Sequence, residues 1–232
     1  TFSRGGSDVS GSIIARAADA EVYENWTDVD GFLTADPKVV ENPSLIDMLS
    51  YRELRELSYM GASVLHAEAV FPVWSKNIPI RIMNVFNPKT HGTMIVPRDD
   101  YDESGKTVTG IAGKKDFSVI YIEKKLMNNE LGYVRKVLSV LEEHGVSIEH
   151  IPTGIDTVSV CVETANIAGK EREIIEDIKR AVSVDKITVT HGIALIAIVG
   201  HGMKYKIGTA GRLCTALAAA GVNIIMIDQG SS

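Results

Sequence analysis

The 232 residues include only two cysteines, Cys161 and Cys214. They share no Cys-x-x-Cys or metal-ligand spacing, which argues against a disulfide-stapled scaffold, a zinc module and a dithiol redox motif. Both sit in apolar surroundings, so buried free thiols of a reducing cytosol are expected, although spacing alone leaves a single bridge open. There is no basic run, and the formal net charge is −6. Nucleic acid and an anionic membrane are therefore not expected partners. No apolar run approaches the ~18 residues of a membrane span, and no signal-peptide pattern is visible. His144, His150, His191 and His201 lack ligand-like i,i+4 pairing, and His66 could serve as a base, although a histidine capping a helix start is the commoner case. No protein-held metal site is expected. The remaining composition, 45% hydrophobic and 23% charged, is that of a soluble globular protein of one large domain or two to three small ones.

Residues 1–96 alternate helix and strand signals, which argues for an α/β layer architecture. "DVSGSIIARAADA" places Val9, Ile13, Ile14, Ala17 and Ala18 at helical spacing, with Ser7 or Asp8 as the expected N-cap. "EVYENW" reads as a strand running into "TDVDG", where Asp30-Gly31 marks a turn. Ser50 and Glu53 form a capping box, and the helix behind it carries Leu54 and Leu57 and ends near Gly61. "HAEAVFPVWSKN" suggests a helix interrupted at Pro72, and "IPIRIMNVF" and "TMIV" read as strands. Residues 97–115 are polar and glycine-bearing, and are expected to be a linker with one short strand, "TVTGIA".

The rest of the chain contains a repeat. Shifted by 76 residues, Val119–Gly154 aligns without a gap on Leu195–Gly230. The identities include the pairs Gly132/Gly208, Leu141/Leu217, Gly145/Gly221 and Ile148/Ile224, mostly turn glycines and strand-core aliphatics. Each copy reads strand, loop, glycine, amphipathic helix, glycine, strand. Tyr133, Val134, Val137, Leu138 and Leu141 share one helix face, and Gly145 and Gly221 suit a left-handed C-cap. The first copy continues through "DTVSVCVE", "KEREIIEDIKRAV" and "KITVT". This is the βαββαβ order of a ferredoxin-like unit. The second stops after its second strand, which leaves edges to be covered.

Two segments carry chemistry. In "RGGSD" (Arg4–Asp8), Gly5 and Gly6 let backbone amides approach an anion at a helix N-terminus, and Arg4 can fork onto a carboxylate or phosphate. A capped glycine turn with a solvated arginine fits the same string. Thr27, Asp28 and Asp30 gather at a strand end, where carboxylates can orient ribose or Mg²⁺-bound water, or simply start a turn.

Taken together, "RGGSD", "ENWTDVDGFLTADPK" (Glu24–Lys38), "ELSYMGASVLH" (Glu56–His66), "NIPIRI" and "HGTMIV" resemble the aspartokinase family, and the repeat is similar to that family's paired ACT domains. The resemblance implies part of a three-layer amino-acid-kinase domain over 1–96, a linker over 97–115, a first ACT unit over 116–192 and the start of a second, truncated one over 193–232. It implies ATP-dependent phosphorylation of L-aspartate with Mg²⁺. Arg4 would pair with an aspartate carboxylate, Gly5, Gly6 and Ser7 would line the junction with the γ-phosphate, and Asp8 would orient a lysine. Thr27, Asp28, Leu33, Lys38 and Ser63 fall at nucleotide positions. The pattern departs at two of these, since Ser63 replaces a lysine and Leu33 an aromatic. The family's Lys-Phe-Gly-Gly lobe has no counterpart in these residues, so the isolated chain is expected to be inactive. The ACT half implies a homodimer and a feedback amino acid, lysine with threonine as the alternative. The effector would contact Met127, Asn129, Gly132 and Tyr133 on one side and Ser147, Ile148 and Glu149 on the other. Glu149 reads equally as a solvated strand carboxylate. A non-catalytic amino-acid sensor that works with a separate catalytic chain is the competing expectation.

Overall fold

The computed structural model describes residues 5–62, 64–97, 107–204 and 206–228. Arg4, Ser63 and residues 98–106 of the expected linker lie outside these. The chain divides into two compact units. One comprises the described residues up to Gly113 together with Ile196–Asn223, the other Lys114–Leu195 together with residues 224–228.

The first unit is built on four strands in the order β1-β3-β4-β2. These are β1 (Tyr23–Thr27), β2 (Met48–Ser50), β3 (Ile80–Asn84) and β4 (Thr93–Val96). β1 runs parallel to β3 with Thr27 beside Asn84, β3 is antiparallel to β4, and β4 is parallel to β2. Strand β2 was not anticipated; three residues are too few to show an alternation, and Met48 is exposed. Leu49, Leu54, Val70, Val73, Ile80, Ile82 and Ile95 are fully buried in one core, each worth about 1.5–3 kcal/mol over its exposed state.

Helix α2 (Tyr51–Tyr59) begins with the expected capping box. The Glu53 amide donates to Ser50 Oγ, and the Ser50 amide donates to Glu53 Oε2 at 2.8 Å. Glu53 is buried, and its other oxygen accepts from Thr109 Oγ1 at 2.6 Å and from the His201 amide at 3.1 Å. The capping box thus reaches two segments far along the chain.

Two helix expectations are corrected. Pro72 does not interrupt a helix; it lies in the first turn of α3 (Val70–Trp74), where a missing N–H costs nothing. In α1 (Gly6–Ala17) the buried residues are Val9, Ser12 and Ala15, while Ile13 is 45% and Ile14 67% exposed. The packed face carries small residues because Gly11 meets Tyr23 closely. A Cβ on Gly11 would lie 2.7 Å from the Tyr23 hydroxyl.

The sheet of the second unit has the order β6-β5-β7, from β5 (Gly110–Glu123), β6 (Thr157–Glu163) and β7 (Lys186–Val199), of which residues 110–113 and 196–199 fall in the first unit. β5 and β6 are antiparallel, with Ile120 beside Val160. Helices α4 (Tyr133–Glu143) and α6 (Glu171–Ala181) pack together, and bury Val137, Leu141, Ile174 and Ile178 against Ile122, Val158 and Val160. A short α5 (Thr164–Ile167) follows β6. The strand expected between α4 and β6 is reduced to isolated bridges, His150 to Cys161 and Thr153 to Val158. Pro152 between them has no amide to give the ladder. Of the short strand expected in "TVTGIA" only residues 110–112 are strand, as the start of β5, and the separate strands expected at "KITVT" and Leu195 form the continuous β7.

The repeat is visible in backbone geometry. α7 spans Thr209–Ala219, the bounds of α4 moved by 76 residues. Gly132 and Gly208 both cap their helices with left-handed φ (73° and 86°), and Gly145 and Gly221 follow with 63° and 68°. Burial differs, since α7 buries no residue. This corrects one thiol expectation: Cys161 is buried, but Cys214, on α7, is exposed, and both are free.

Candidate functional site

Gly5 caps α1 in the left-handed conformation, φ 89°, and its carbonyl accepts from the amides of Asp8 and Val9 at 3.1 and 3.3 Å. Ser7 and Asp8 therefore lie inside the first turn, and no side chain caps the helix, contrary to the expected Ser or Asp cap. Only glycine fits here. Any L side chain is strained at this φ, and a Cβ would lie 2.6 Å from the His66 ring. The turn leaves the start of α1 as an array of amides with partial positive charge, which favours an anion.

Asp8 does not face solvent alone. Its Oδ1 accepts from Asn25 Nδ2 at 3.2 Å and its Oδ2 from the His66 amide at 3.3 Å. Tyr23 donates its hydroxyl to the Asp8 carbonyl at 3.1 Å and accepts from Asn25 Nδ2 at 3.0 Å. Burial pushes the Tyr23 phenol above its ordinary value, which keeps it a neutral donor; the Asn25 hydrogen bond opposes the shift and the Asp8 charge adds to it. Asn25 lies at the buried centre of β1. This network joins the "GGSD" turn to the strand whose far end bears Thr27 and Asp28.

At that end Thr27 Oγ1 donates to Asp28 Oδ1 at 3.2 Å, and Asp28 is exposed. Asp30 is held instead: its Oδ1 accepts from Asn84 Nδ2 at 2.8 Å and Asn87 Nδ2 at 3.3 Å. Asn84, from parallel β3, and Asn87 just beyond it thus fix the "TDVDG" loop. Leu33 bridges Leu45 and is half-buried. Lys38 is exposed, its amide donating to Asp36 Oδ1 at 2.8 Å. Among the described residues no hydrogen bond or ion pair joins Leu33 or Lys38 to the Gly5–Asp8 turn. Sequence reasoning missed Tyr23, Asn25, Asn84 and Asn87. The available signal was an asparagine at the inward position of a short strand, where burial needs a partner.

In the second unit Met127 is buried in a single turn, Met127–Asn129, that precedes Gly132. Tyr133 is buried, its hydroxyl donating to the Ser183 carbonyl at 2.9 Å. Burial first, then the charges of Glu130 and Asp185, push its phenol up to about 12. Ser147 and Ile148 line an open depression of about 460 Å³ with Leu138, Glu142, Gly145 and Val146. Met127, Asn129, Gly132 and Tyr133 are not in that lining; they gather at the opposite end of α4. The Glu149 amide donates to the Cys161 carbonyl at 2.9 Å. Burial, and then the Glu149 charge, push the Cys161 thiol up to about 11.

Comparison with known proteins follows the same division. Residues 1–84 match the model of the Amino acid kinase family, and residues 196–232 match that of an ACT domain. An amino-acid-kinase α/β layer followed along the chain by an ACT-domain fold is the class that these two matches and the geometry define. Across its whole length the chain is 46% identical to Aspartokinase 3 of Bacillus subtilis, covering 51% of that protein. The crystal structure of Clostridium acetobutylicum aspartate kinase, described as an allosteric enzyme, superposes with a TM-score of 0.95 at 55% identity, covering all of this chain and 54% of the other. Escherichia coli aspartokinase III, 26% identical, superposes at 0.79 in its complex with aspartate and ADP and at 0.77 in its complex with lysine and aspartate, with 51% of each covered. The chain belongs to the aspartokinases. It spans about half the length of the relatives it matches. No described helix is long and apolar enough to cross a membrane.

Proposed function

We propose that a polypeptide of full family length carrying this chain transfers the γ-phosphoryl group of MgATP to the side-chain carboxylate of L-aspartate. A carboxylate oxygen attacks phosphorus, the bond to the bridging oxygen of ADP breaks, and an acyl phosphate forms. The chain's own part is positioning and charge neutralisation, which dominate phosphoryl transfer. Amides of the Gly5–Ser7 turn face the junction of aspartate and phosphate, and Arg4 pairs with a carboxylate of aspartate. Asp8 orients the family's lysine against the transferring group. Thr27 and Asp28 border the nucleotide, with Leu33, Lys38 and Ser63 flanking it. Mg²⁺ bound with the nucleotide would supply further charge neutralisation. The single observation that supports this most is the left-handed Gly5 turn at the start of α1, tied through Asp8 and Asn25 to the strand that ends in Thr27-Asp28.

Regulation is the second half of the reading. An end-product amino acid, lysine ahead of threonine, binds where two ACT units from two chains meet. It uses Met127, Asn129, Gly132 and Tyr133 from one and Ser147, Ile148 and Glu149 from the other. The separation of these two groups within one chain supports a site completed by a homodimer. The lysine complex of the Escherichia coli relative supports that effector. A cytoplasmic location fits this chemistry. The test is aspartate-dependent ADP release by the full-length polypeptide, with and without lysine. Turnover that needs aspartate and falls as lysine rises is expected. Lysine binding without any aspartate-dependent turnover would instead favour a non-catalytic sensor.

A further inference from the structure

We infer that Asn25 and the His66 segment act as positioning residues that hold Asp8 from both sides and thereby set the Gly5–Asp8 turn. Each Asp8 oxygen has a separate donor. Oδ1 takes Asn25 Nδ2 from β1, and Oδ2 takes the His66 amide from the turn before α3. Ser7 Oγ adds a long contact to Oδ1 at 3.5 Å. The Asn25 amide cannot be reversed, because its oxygen would then face a carboxylate instead of donating to it. Its two hydrogens reach Asp8 and Tyr23, and Tyr23 returns a hydrogen bond to the Asp8 carbonyl. This closes a ring of three residues around the first turn of α1. The His66 ring lies against Gly5, where a Cβ would have no room. One short segment therefore fixes the cap residue with its ring and the carboxylate with its amide.

The chemical consequence is directional. A carboxylate that accepts one hydrogen bond on each oxygen keeps lone pairs for a cation, but cannot rotate to meet it elsewhere. A lysine that reaches Asp8 is therefore aimed by β1 and by the His66 turn, not by α1 alone. This catalytic consequence rests on the proposed aspartokinase activity. The clamp itself does not.

Two measurements separate the two. In peptide-resolved hydrogen exchange on this chain, Asn25→Ala is expected to raise exchange across residues 5–12 by roughly tenfold, while α4 is unchanged. In the full-length polypeptide the same variant is expected to lower kcat by roughly tenfold or more and leave the KM for ATP within about twofold. Followed by single-turnover quench in an Asp8→Asn background, it is expected to add less than about twofold, because it acts through Asp8. Tyr23→Phe, which opens the ring while leaving the Asn25 contact to Asp8 in place, is expected to give smaller changes of the same kind. It serves if Asn25→Ala fails to fold. Unchanged exchange over residues 5–12 overturns the clamp whatever the enzyme does. Raised exchange with undiminished kcat, or a full multiplicative loss in the Asp8→Asn background, overturns its catalytic role. Absence of aspartate-dependent turnover in the unsubstituted polypeptide overturns the proposed function and leaves the exchange result to decide the clamp.

Discussion

Two thiols of the same chain sit in opposite surroundings. Cys161 lies on β6 opposite Val119 and in one cluster with Phe117, wholly buried, with its thiol pushed up to about 11. Cys214 stands exposed on α7. A thiol must ionise and be reached before it reacts. We expect one equivalent of Ellman's reagent to be consumed rapidly by the native chain at pH 8, and the second only in denaturant; rapid reaction of both would mean that β6 opens readily. The same contrast marks what single residues disclose in a sequence. In "VSVCVE" the alternation puts Cys161 on the face of Ser159 and Glu163, opposite the three valines, and it is buried because Phe117 and Val119 pack against it there. Cys214 shares apolar neighbours and is exposed, because burial depends on what covers a helix and not on the helix's own pattern. Asp30 is a similar case. Its place beside glycine was legible, while the two asparagines that hold it, one 54 and the other 57 residues away, were not.

Among the elements, those governed by local chemistry were readable and those governed by distant partners were not. The Ser50–Glu53 capping box, the helix behind it and the left-handed glycines after α4 and α7 follow from nearest-neighbour rules. The inward face of α1 does not, since it is set by the proximity of Tyr23 to Gly11 and not by Ile13 and Ile14. Nor does the shortness of the strand around His150, which Pro152 imposes. Glu53 belongs to both kinds. Its capping role is local, but Thr109 and His201 make it the acceptor for three separate segments. Replacing it with alanine removes a cap and leaves buried donors without acceptors. We expect Glu53→Ala to cost roughly 2–5 kcal/mol, seen as a lower urea midpoint for the first unit. Glu53→Gln should cost less, because one oxygen remains. An unchanged midpoint for Glu53→Ala would show that water replaces these contacts without penalty.

Across the whole molecule the repeat is the largest legible feature, and its two copies divide labour. α4 and α7 share length, caps and glycine conformations, yet α4 buries Tyr133, Val137, Val140 and Leu141 while α7 buries nothing. Protection from exchange follows tertiary cover more than helical geometry. In this chain α7 amides are therefore expected to exchange much faster than those of α4; equal protection would require cover on α7 that the described residues do not provide. Aspartokinase membership was legible because "RGGSD" and "TDVDG" are short, contiguous and chemically constrained, whereas the clamp on Asp8 joins residues 17 and 58 positions apart. Glu53 spans a greater distance still, because the His201 amide lies 148 residues downstream of its acceptor. For a chain made from its N-terminus this sets a timetable. Helix α2 is synthesised and capped early, but the buried carboxylate at its start waits for its last donor until the second repeat has begun to leave the ribosome. The first unit therefore matures only after most of the second has been translated.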